Sequence, residues 1–255
     1  LKNWITMDND FINKSVLVTG GSKGIGRSIC KQFASKGAEV IFTFRKNDKS
    51  VKSLLNFSRK YNYKIYGYKI NNLKDKSLQI LLKTIKKKHK NINFLINNIG
   101  DAILRTQFIK SLDETWIKSL DVNLMSSVRI TKLVLNLFNS NQLLSIVNIG
   151  SIAGKTFGQG DSLHYGVAKS ALHGFTVGLS KELKKTRVNC IAPNAVNTDF
   201  QKRLSSKKRI KNIIKRNKSG RLATTEEVAD LTIYMCSKKA SYINGEVIYM
   251  TGGVK

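Results

Sequence analysis

Long apolar runs and proline are scarce in this chain of 255 residues. No stretch of about eighteen apolar residues occurs, which argues against a membrane-spanning helix. Residues 1–13 mix acids, amides and a tryptophan, and they lack the apolar core of a signal peptide. With one proline and no repeat or low-complexity tract, the sequence offers no linker. We therefore expect an extension over residues 1–13 and a single domain over residues 14–255.

Cysteine is also scarce. The three cysteines lie far apart and show no metal-ligand spacing: Cys30, Cys190 and Cys236. Each falls in an apolar-periodic segment, which predicts buried free thiols and no metal site. Free thiols are typical of a reducing compartment, so we expect the cytoplasm or the equivalent compartment of an organelle.

Acidic residues are few: 16 Asp and Glu stand against 45 Lys and Arg, a formal net charge of +29. Such an excess would suit a polyanionic partner such as nucleic acid. However, the basic residues are scattered over nearly every segment, and no nucleic-acid-binding motif accompanies them. Heavy use of Lys, Asn and Ile points instead to the compositional drift of an AT-rich genome. Whatever its origin, the charge would attract an acidic substrate or carrier.

Short apolar runs alternate with amphipathic segments along the chain. Strands are predicted at residues 15–19, 38–44, 64–70, 92–96, 143–149, 187–192 and 246–250. Helices are predicted at residues 27–36, 51–60, 75–90, 112–139, 165–185 and 224–236. A basic segment over residues 198–218 carries helical periodicity and is predicted to form a lid. This alternation predicts one parallel sheet of about seven strands with helices on both faces.

The first predicted strand runs into a glycine-rich turn, Gly20 to Gly26, and then into a helix. Glycines allow a tight turn and close backbone approach, and a helix N-terminus offers free N–H groups to a phosphate. The second strand ends at residues 43–46 without a carboxylate, and Lys23 and Arg45 could pair with a 2′-phosphate. This favours NADP(H), although both could simply be two more basic residues of a basic chain.

Tyr165 and Lys169 are four residues apart, so they project from one face of a helix. There an ammonium can stabilise a phenolate and make the phenol a better proton donor. Ser151, ahead of that helix, could hold a carbonyl oxygen. The alternative interpretation is a packed tyrosine beside a solvated lysine. Likewise, Asn123 within the helix predicted at residues 112–139 is either a satisfied core amide or a functional one.

Taken together, these motifs resemble the short-chain dehydrogenase/reductase family from about residue 13 to the C-terminus. The pattern consists of Thr19-Gly20-x-x-x-Gly24-x-Gly26, Asn97-Asn98-x-Gly100, Asn123, Ser151, Tyr165-x-x-x-Lys169 and Pro193 to Thr198. Within the family, residues 149–154, 220–229 and 242–247 are most similar to the 3-oxoacyl-[acyl-carrier-protein] reductases. The resemblance implies a Rossmann-type doubly wound fold and NADPH-dependent reduction of a 3-oxoacyl thioester in fatty acid or polyketide-type synthesis.

The resemblance also implies roles for individual residues. The catalytic set is Asn123, Ser151, Tyr165 and Lys169. The cofactor would be bound by Gly20, Ser22, Lys23, Gly24, Ile25, Gly26, Arg45, Asn72, Leu73, Asn98, Gly100, Tyr165, Lys169, Val196 and Thr198. Arg129 and Lys181 would dock an acidic acyl carrier protein, and the chain would form a homotetramer.

Some positions depart from the family pattern. Ile99 replaces an alanine, which should crowd the cofactor pocket slightly, and Asn194 replaces a glycine, which asks Asn for a conformation that glycine holds more easily. Residues 101–110, which border the substrate, match the 3-oxoacyl reductases poorly. Enoyl reductases of the superfamily space Tyr and Lys more widely, which argues against enoyl reduction. Two alternatives stay open: reduction of a free ketone, sugar or other alcohol, and a non-catalytic nucleic-acid-binding protein on the same fold.

Overall fold

The computed structural model describes residues 9–46, 48–70, 72–73, 75–158 and 160–253. Residues 1–8 of the expected extension, and residues 254–255 at the end of the expected domain, lie outside this range.

Seven strands form a single sheet in the order β3-β2-β1-β4-β5-β6-β7, and every neighbouring pair is parallel. The strands are β1 Ser15–Val18, β2 Glu39–Phe44, β3 Ile65–Lys69, β4 Phe94–Asn97, β5 Ser145–Ile149, β6 Arg187–Pro193 and β7 Val247–Met250. The prediction of a seven-stranded doubly wound sheet is confirmed. Because the strands are parallel, all their carboxyl ends lie along one edge, where ligands of such sheets bind.

The described helices connect the strands or follow them. They are α1 Gly24–Ser35, α2 Lys49–Lys60, α3 Asp75–Lys88, α4 Asp113–Leu120, α5 Ser126–Leu137, α6 Ala153–Thr156, α7 Leu163–Glu182, α8 Asp199–Leu204, α9 Lys207–Arg216 and α10 Thr225–Cys236. We call α8 and α9 together the lid. The predicted lid is therefore helical, but it consists of two short helices, with Ser206 capping the second through Arg209 N at 3.2 Å.

Two hydrophobic clusters lie on opposite faces of the sheet. Successive side chains of a strand point to opposite faces, so Val16 and Val18 of β1 join one cluster while Leu17 joins the other. Helices α1 and α10 cover the first face, and α3 and α5 cover the second. Phe11, within the segment expected to be an extension, is fully buried against Phe33 of α1, with ring centroids 5.3 Å apart.

The helix predicted over residues 112–139 is not uniform. It consists of α4, a π-helical turn at Asp121–Met125, and α5. Each π turn inserts one extra residue into the helix, and such turns are frequent at functional sites. In addition, the helix predicted at residues 165–185 begins two residues earlier, as α7 at Leu163, and the short α6 precedes it.

The three cysteines are buried and free, as predicted. Burial raises the pKa of the Cys190 and Cys236 thiols to about 12. Among the described residues, no helix is long and apolar enough to cross a membrane, and no group of three or more His, Cys, Asp or Glu side chains could hold a metal ion.

Candidate active site

A cavity of about 870 Å³ runs along the carboxyl edge of the sheet from the glycine turn to the lid. Most of the residues expected to bind cofactor or substrate line it: Gly20, Lys23, Gly24, Ile25, Arg45, Asn72, Leu73, Asn98, Gly100, Ser151, Tyr165, Lys169, Val196 and Thr198. Ser22, Gly26 and Asn123 are not part of this lining, and neither are Arg129 and Lys181. The structure thus gathers into one cavity residues that the chain spreads over 179 positions, from Gly20 to Thr198.

The glycine turn has the geometry of an anion cradle. Gly20 and Gly24 adopt φ of +65° and +51°, a conformation that L side chains rarely take. A Cβ at Gly26 would lie 2.5 Å from the carbonyl oxygen of Gly20, so only glycine fits there. Lys23, the N-cap of α1, makes no side-chain capping hydrogen bond. The first amides of α1 are therefore not capped by Lys23, and they suit a phosphate group.

Asn98 holds this turn in place. Its Nδ2 donates to the carbonyl oxygens of Thr19 at 3.0 Å and Gly20 at 3.2 Å. Its backbone N–H donates to Thr19 Oγ1 at 2.9 Å. The Asn98 side chain, which is expected to bind the cofactor, is thus also a structural tie between β4 and the glycine turn.

The far end of the cavity, beyond β2, is basic. Arg45 and Lys23 both line it, and Arg45 has no hydrogen-bond or ion-pair partner among the described residues. Sequence reasoning missed a carboxylate here: Asp48 pairs with Lys23 at 2.5 Å and caps α2 through Ser50 N at 3.0 Å. The hydrogen bond from Lys23 lowers the pKa of Asp48. Asp48 is not part of the cavity lining, so the charge presented to a ligand at this end is positive.

Asn123 is fully buried in the π turn, and its side chain is satisfied by hydrogen bonds. Its Oδ1 accepts from Asp101 N at 3.0 Å, and its Nδ2 donates to the carbonyl oxygens of Asp101 at 2.7 Å and Ser119 at 3.0 Å. A Cβ at Gly100 would lie 3.0 Å from both Asn123 Oδ1 and Lys169 Nζ. Gly100 therefore leaves open the space between the amide and the ammonium.

Lys169 is 3% exposed, and its Nζ donates to the carbonyl oxygen of Ile149 at 2.9 Å. The same Nζ lies 5.9 Å from the centroid of the Tyr165 ring. Burial disfavours the charged ammonium and lowers the pKa of Lys169 to about 8. The alternative of a solvated lysine beside a packed tyrosine is therefore wrong for Lys169.

Tyr165 differs from expectation in the direction of its pKa. The sequence predicts that Lys169 lowers it, but burial outweighs every other influence and raises the pKa of Tyr165 to about 12. The hydrogen bond with Ser151 and the charge of Arg105 oppose this effect, while the charge of Asp101 adds to it. The physical reason is that a buried phenolate loses its hydration. The phenol therefore keeps its proton at neutral pH, as a proton donor must.

Thr198 joins the lid to the glycine turn. Its Oγ1 accepts from Gln201 N at 3.3 Å and caps α8, while its Cγ2 lies 3.4 Å from the position that a Cβ at Gly24 would occupy. Val196 is buried and bridges to Ala223. The prediction that Asn194 takes a glycine-like conformation is wrong: its φ is not positive, and its Nδ2 donates to Asn217 Oδ1 at 3.0 Å.

The two residues expected to dock a carrier protein lie outside the cavity. Arg129 of α5 pairs with Asp121 at 2.5 Å, and its Nη1 lies 3.4 Å from the carbonyl oxygen of Leu73. Lys181 is exposed in the last turn of α7.

Sequence reasoning missed a set of charged residues around Tyr165 that join loops to the lid. They are Asp101, Arg105, Asp161, Arg203 and Arg209. No motif marks them, because the partners lie 48 to 102 positions apart in the chain.

A family model described as enoyl-(acyl carrier protein) reductase matches residues 20–255. The 3-oxoacyl-[acyl-carrier-protein] reductase FabG of Aquifex aeolicus is 35% identical over 246 residues, covering 94% of this chain and 97% of that protein. The FabG of Escherichia coli is 32% identical over 250 residues, which cover 96% of this chain and 98% of that protein.

Solved structures agree with the fold. A short-chain dehydrogenase/reductase from Serratia marcescens is similar with a TM-score of 0.88 and 25% identity, covering 96% of this chain and 98% of that one. A short-chain dehydrogenase from Burkholderia cenocepacia in complex with NADP has a TM-score of 0.87 at 21% identity, covering 96% and 98%.

Proposed function

This chain belongs to the short-chain dehydrogenase/reductase family, whose members are oxidoreductases acting on alcohols and ketones, and we propose that it reduces a 3-oxoacyl thioester carried by acyl carrier protein, with NADPH as the reductant. The product is the 3-hydroxyacyl thioester of fatty acid or polyketide-type synthesis. One observation carries the reaction type: the Tyr165 phenol and the Ser151 hydroxyl line the same cavity as the glycine turn.

The relatives support the carrier-linked substrate, since the proteins that are 35% and 32% identical to this chain are 3-oxoacyl-[acyl-carrier-protein] reductases. The family model is described by a different reaction, enoyl reduction. The hydroxyls of Ser151 and Tyr165, which line the same cavity, favour a ketone, because two hydroxyl donors suit a carbonyl oxygen that gains charge as it is reduced.

The residues of the cavity fit a nicotinamide dinucleotide, since the glycine turn and α1 form an anion cradle at one end and Tyr165 and Lys169 lie at the other. When bound, the cofactor supplies the hydride. The amides of residues 22–25 hold the pyrophosphate, and Lys23 and Arg45 recognise the 2′-phosphate of NADP(H). The remaining contacts come from Gly20, Gly26, Asn72, Leu73, Asn98, Gly100, Val196 and Thr198.

The proton chemistry belongs to the chain's own side chains. Tyr165 donates its proton to the carbonyl oxygen, and Ser151 donates a hydrogen bond to the same oxygen. Lys169, held against the carbonyl of Ile149, stabilises the phenolate that remains and binds the nicotinamide ribose. Asn123 positions a water that relays protons to Lys169, and Gly100 leaves room for this water between the two side chains.

The partners follow from the same proposal. An acidic carrier protein docks on the basic surface near the cavity, with Lys181 and Arg129 as contacts. Arg129 would exchange its bond with Asp121 for one to the carrier. We propose that the protein forms a homotetramer and acts in the cytoplasm or the equivalent reducing compartment of an organelle. Neither a membrane nor a nucleic acid is proposed as a partner.

A second candidate, reduction of a free ketone or other small carbonyl compound, is favoured by one observation. Residues 101–110 match the 3-oxoacyl reductases poorly, and within them the loop over residues 101–107 places Asp101 and Arg105 close enough to Tyr165 to influence its pKa. Comparing carrier-linked and free substrates decides between the two candidates.

Tyr165→Phe tests the reaction type. Removing the proton donor should lower ketone reduction by at least about 100-fold, the usual contribution of a general acid. NADPH binding, followed by its fluorescence, should change little. Tyr242→Phe is the matched control, since Tyr242 is fully exposed and lies outside the cavity. Ketone reduction at the wild-type rate by Tyr165→Phe would contradict the mechanism.

A further inference from the structure

The lid lies directly over the proton donor. The ring centroid of Phe200 in α8 is 6.5 Å from that of Tyr165. Gln201, Leu204 and Ile213 of the lid also line the cavity. The position of the lid therefore decides how much room a substrate has beside Tyr165.

Charge alone would push this lid away. Residues 199–216 contain eight Lys and Arg residues and one Asp. The cavity beneath is lined by further basic side chains, among them Lys23, Arg45, Arg105 and Lys169. Like charges repel one another, so a lid of this composition needs specific acidic partners to stay over the site.

Asp161 supplies the first of these partners. It stands in the loop before α7, four residues ahead of Tyr165, and its carboxylate accepts from Arg105 Nη1 and from Arg209 Nη1, both at 2.8 Å. Its carbonyl oxygen accepts from Thr106 N at 2.8 Å. Arg105 in turn donates through Nε to the carbonyl oxygen of Leu204, the last residue of α8. Asp161 thus ties the loop before Tyr165 directly to the loop over residues 101–107 and to α9, and it is connected to α8 through Arg105.

Asp101 is the second acidic partner of the lid. Its carboxylate accepts from Arg203 Nη2 of α8 at 2.6 Å. Its backbone N–H and carbonyl are both held by the side chain of Asn123. The lid is therefore connected through Asp101 to the π turn that carries Asn123, and through Asp161 to the helix that carries Tyr165.

We propose that Asp101 and Asp161 are positioning residues, which hold the basic lid over Tyr165 through their ion pairs with Arg203 and Arg209. Asp161 lies outside the cavity lining, and Asp101, which belongs to it, directs its carboxylate to Arg203. They act by fixing the lid, and so they set the size of substrate that reaches Ser151 and Tyr165. Their effect on substrate binding rests on the proposed ketone reduction, whereas their effect on the lid does not.

The chain offers matched controls for both ion pairs. Arg203→Gln and Lys202→Gln each remove one charge from α8, and Arg209→Gln and Lys208→Gln each remove one charge from α9. Lys202 and Lys208 are exposed and have no side-chain partner among the described residues. If the variants acted only by removing positive charge, the two variants of each pair would change the exchange rates of the lid equally. If the ion pairs hold the lid, Arg203→Gln and Arg209→Gln will change these rates more than Lys202→Gln and Lys208→Gln.

The first measurement is amide hydrogen exchange of residues 199–216 in the protein without ligands. Arg203→Gln and Arg209→Gln should each speed exchange in the lid by up to about fivefold, the value of a partly exposed ion pair. Asp161→Asn should do so by more, because it removes two partners at once. Lys202→Gln and Lys208→Gln should leave the exchange rates unchanged. Equal rates in all variants, or equal acceleration in the controls, would overturn the proposal.

The second measurement separates positioning from a loss of folding. KM for the 3-oxoacyl substrate should rise up to about fivefold in Arg203→Gln while kcat stays within about twofold, because the proton donor is untouched. Asp101→Arg combined with Arg203→Asp restores the ion pair with reversed polarity and should recover both KM and exchange protection. No recovery in this double variant would count against the Asp101 ion pair. If the wild type fails to reduce the ketone, the proposed function falls, and the exchange rates still decide the role of the ion pairs.

Discussion

At the scale of single residues, the burial of the Lys169 ammonium in the site lowers the free energy of unfolding of the protein. It is almost fully buried, and its pKa falls from 10.5 to about 8 because burial penalises the charged form. At about 1.4 kcal/mol for each pH unit, this corresponds to about 3 kcal/mol. This loss of unfolding free energy is fully present below pH 8, where the ammonium is charged in both the folded and the unfolded chain. It is relieved as pH rises from about 8 toward 10.5, where only the unfolded chain still binds the proton.

Lys169→Met should therefore change how stability depends on pH. Relative to this variant, the wild type should gain about 2 kcal/mol of unfolding free energy between about pH 7 and pH 9.5. Urea denaturation at the two pH values measures the difference. Lys52→Met, at an exposed position of α2, serves as the control and should show no such change. A constant difference between wild type and Lys169→Met across this range would show that the buried ammonium keeps an ordinary pKa.

Residue types, their spacing and the family resemblance were sufficient to predict most of the motif residues that line the cavity, among them Ser151, Tyr165 and Lys169, although Asn123 lies outside the lining. They could not predict the direction of the Tyr165 pKa, because burial depends on what packs around the ring. Nor could they predict Asp48, which stands close behind β2 but turns its carboxylate to Lys23 and to the start of α2. For Asn194, the expected glycine-like conformation failed: its backbone conformation is ordinary, and its backbone N–H donates to the carbonyl oxygen of Met250 at 2.9 Å, a partner distant in the chain.

At the scale of elements, the π turn shows what hydrophobic periodicity leaves undetermined. Apolar residues at helical spacing predict one helix over residues 112–139, and both flanking helices are present. The extra residue at Asp121–Met125 leaves that spacing almost unchanged, since apolar positions continue on both sides of it. The π turn contains Asn123, whose side chain accepts a hydrogen bond from Asp101 N. The two residues lie 22 positions apart in the chain, so hydrophobic periodicity could not predict this contact.

The start of α10 is an element whose stability can be tested directly. Thr224 forms a capping box, accepting from Glu227 N at 3.1 Å while the Glu227 carboxylate accepts from Thr224 N at 2.8 Å. Thr224→Ala should lower the unfolding free energy by about 1 kcal/mol. Thr224→Ser keeps the hydroxyl and should recover most of this loss in the same urea titration. If serine were no better than alanine, the capping hydrogen bond would not be the cause.

At the scale of the whole molecule, the single parallel sheet of seven strands with helices on both faces followed from the alternation of strands and helices and the likeness to a known family. The arrangement of the lid did not follow, because ion pairs between distant loops leave no trace in local sequence. The net charge of +29 acts over the entire surface and should steer acidic partners toward it.

Salt should therefore separate a carrier-linked substrate from a small one. Raising ionic strength from about 50 mM to about 500 mM screens attraction between exposed charges. KM for an acetoacetyl group on acidic carrier protein should rise several-fold, while KM for the same group on a small neutral thioester should change little. Steady-state assays at both salt concentrations measure this. An equal response of both substrates would indicate that the basic surface does not recruit the carrier.

The central claim is that the protein reduces the ketone of a carrier-linked thioester, with Tyr165 protonating the ketone oxygen and Ser151 donating a hydrogen bond to it. The most direct measurement is NADPH oxidation by the wild-type protein with acetoacetyl-carrier protein, with crotonyl-carrier protein, and with the acetoacetyl group on coenzyme A and on a small thioester. We predict the highest kcat/KM for acetoacetyl-carrier protein and no oxidation with the crotonyl substrate, whose double bond offers no ketone beside these hydroxyls. Turnover of the crotonyl substrate without turnover of the acetoacetyl substrates would contradict the account.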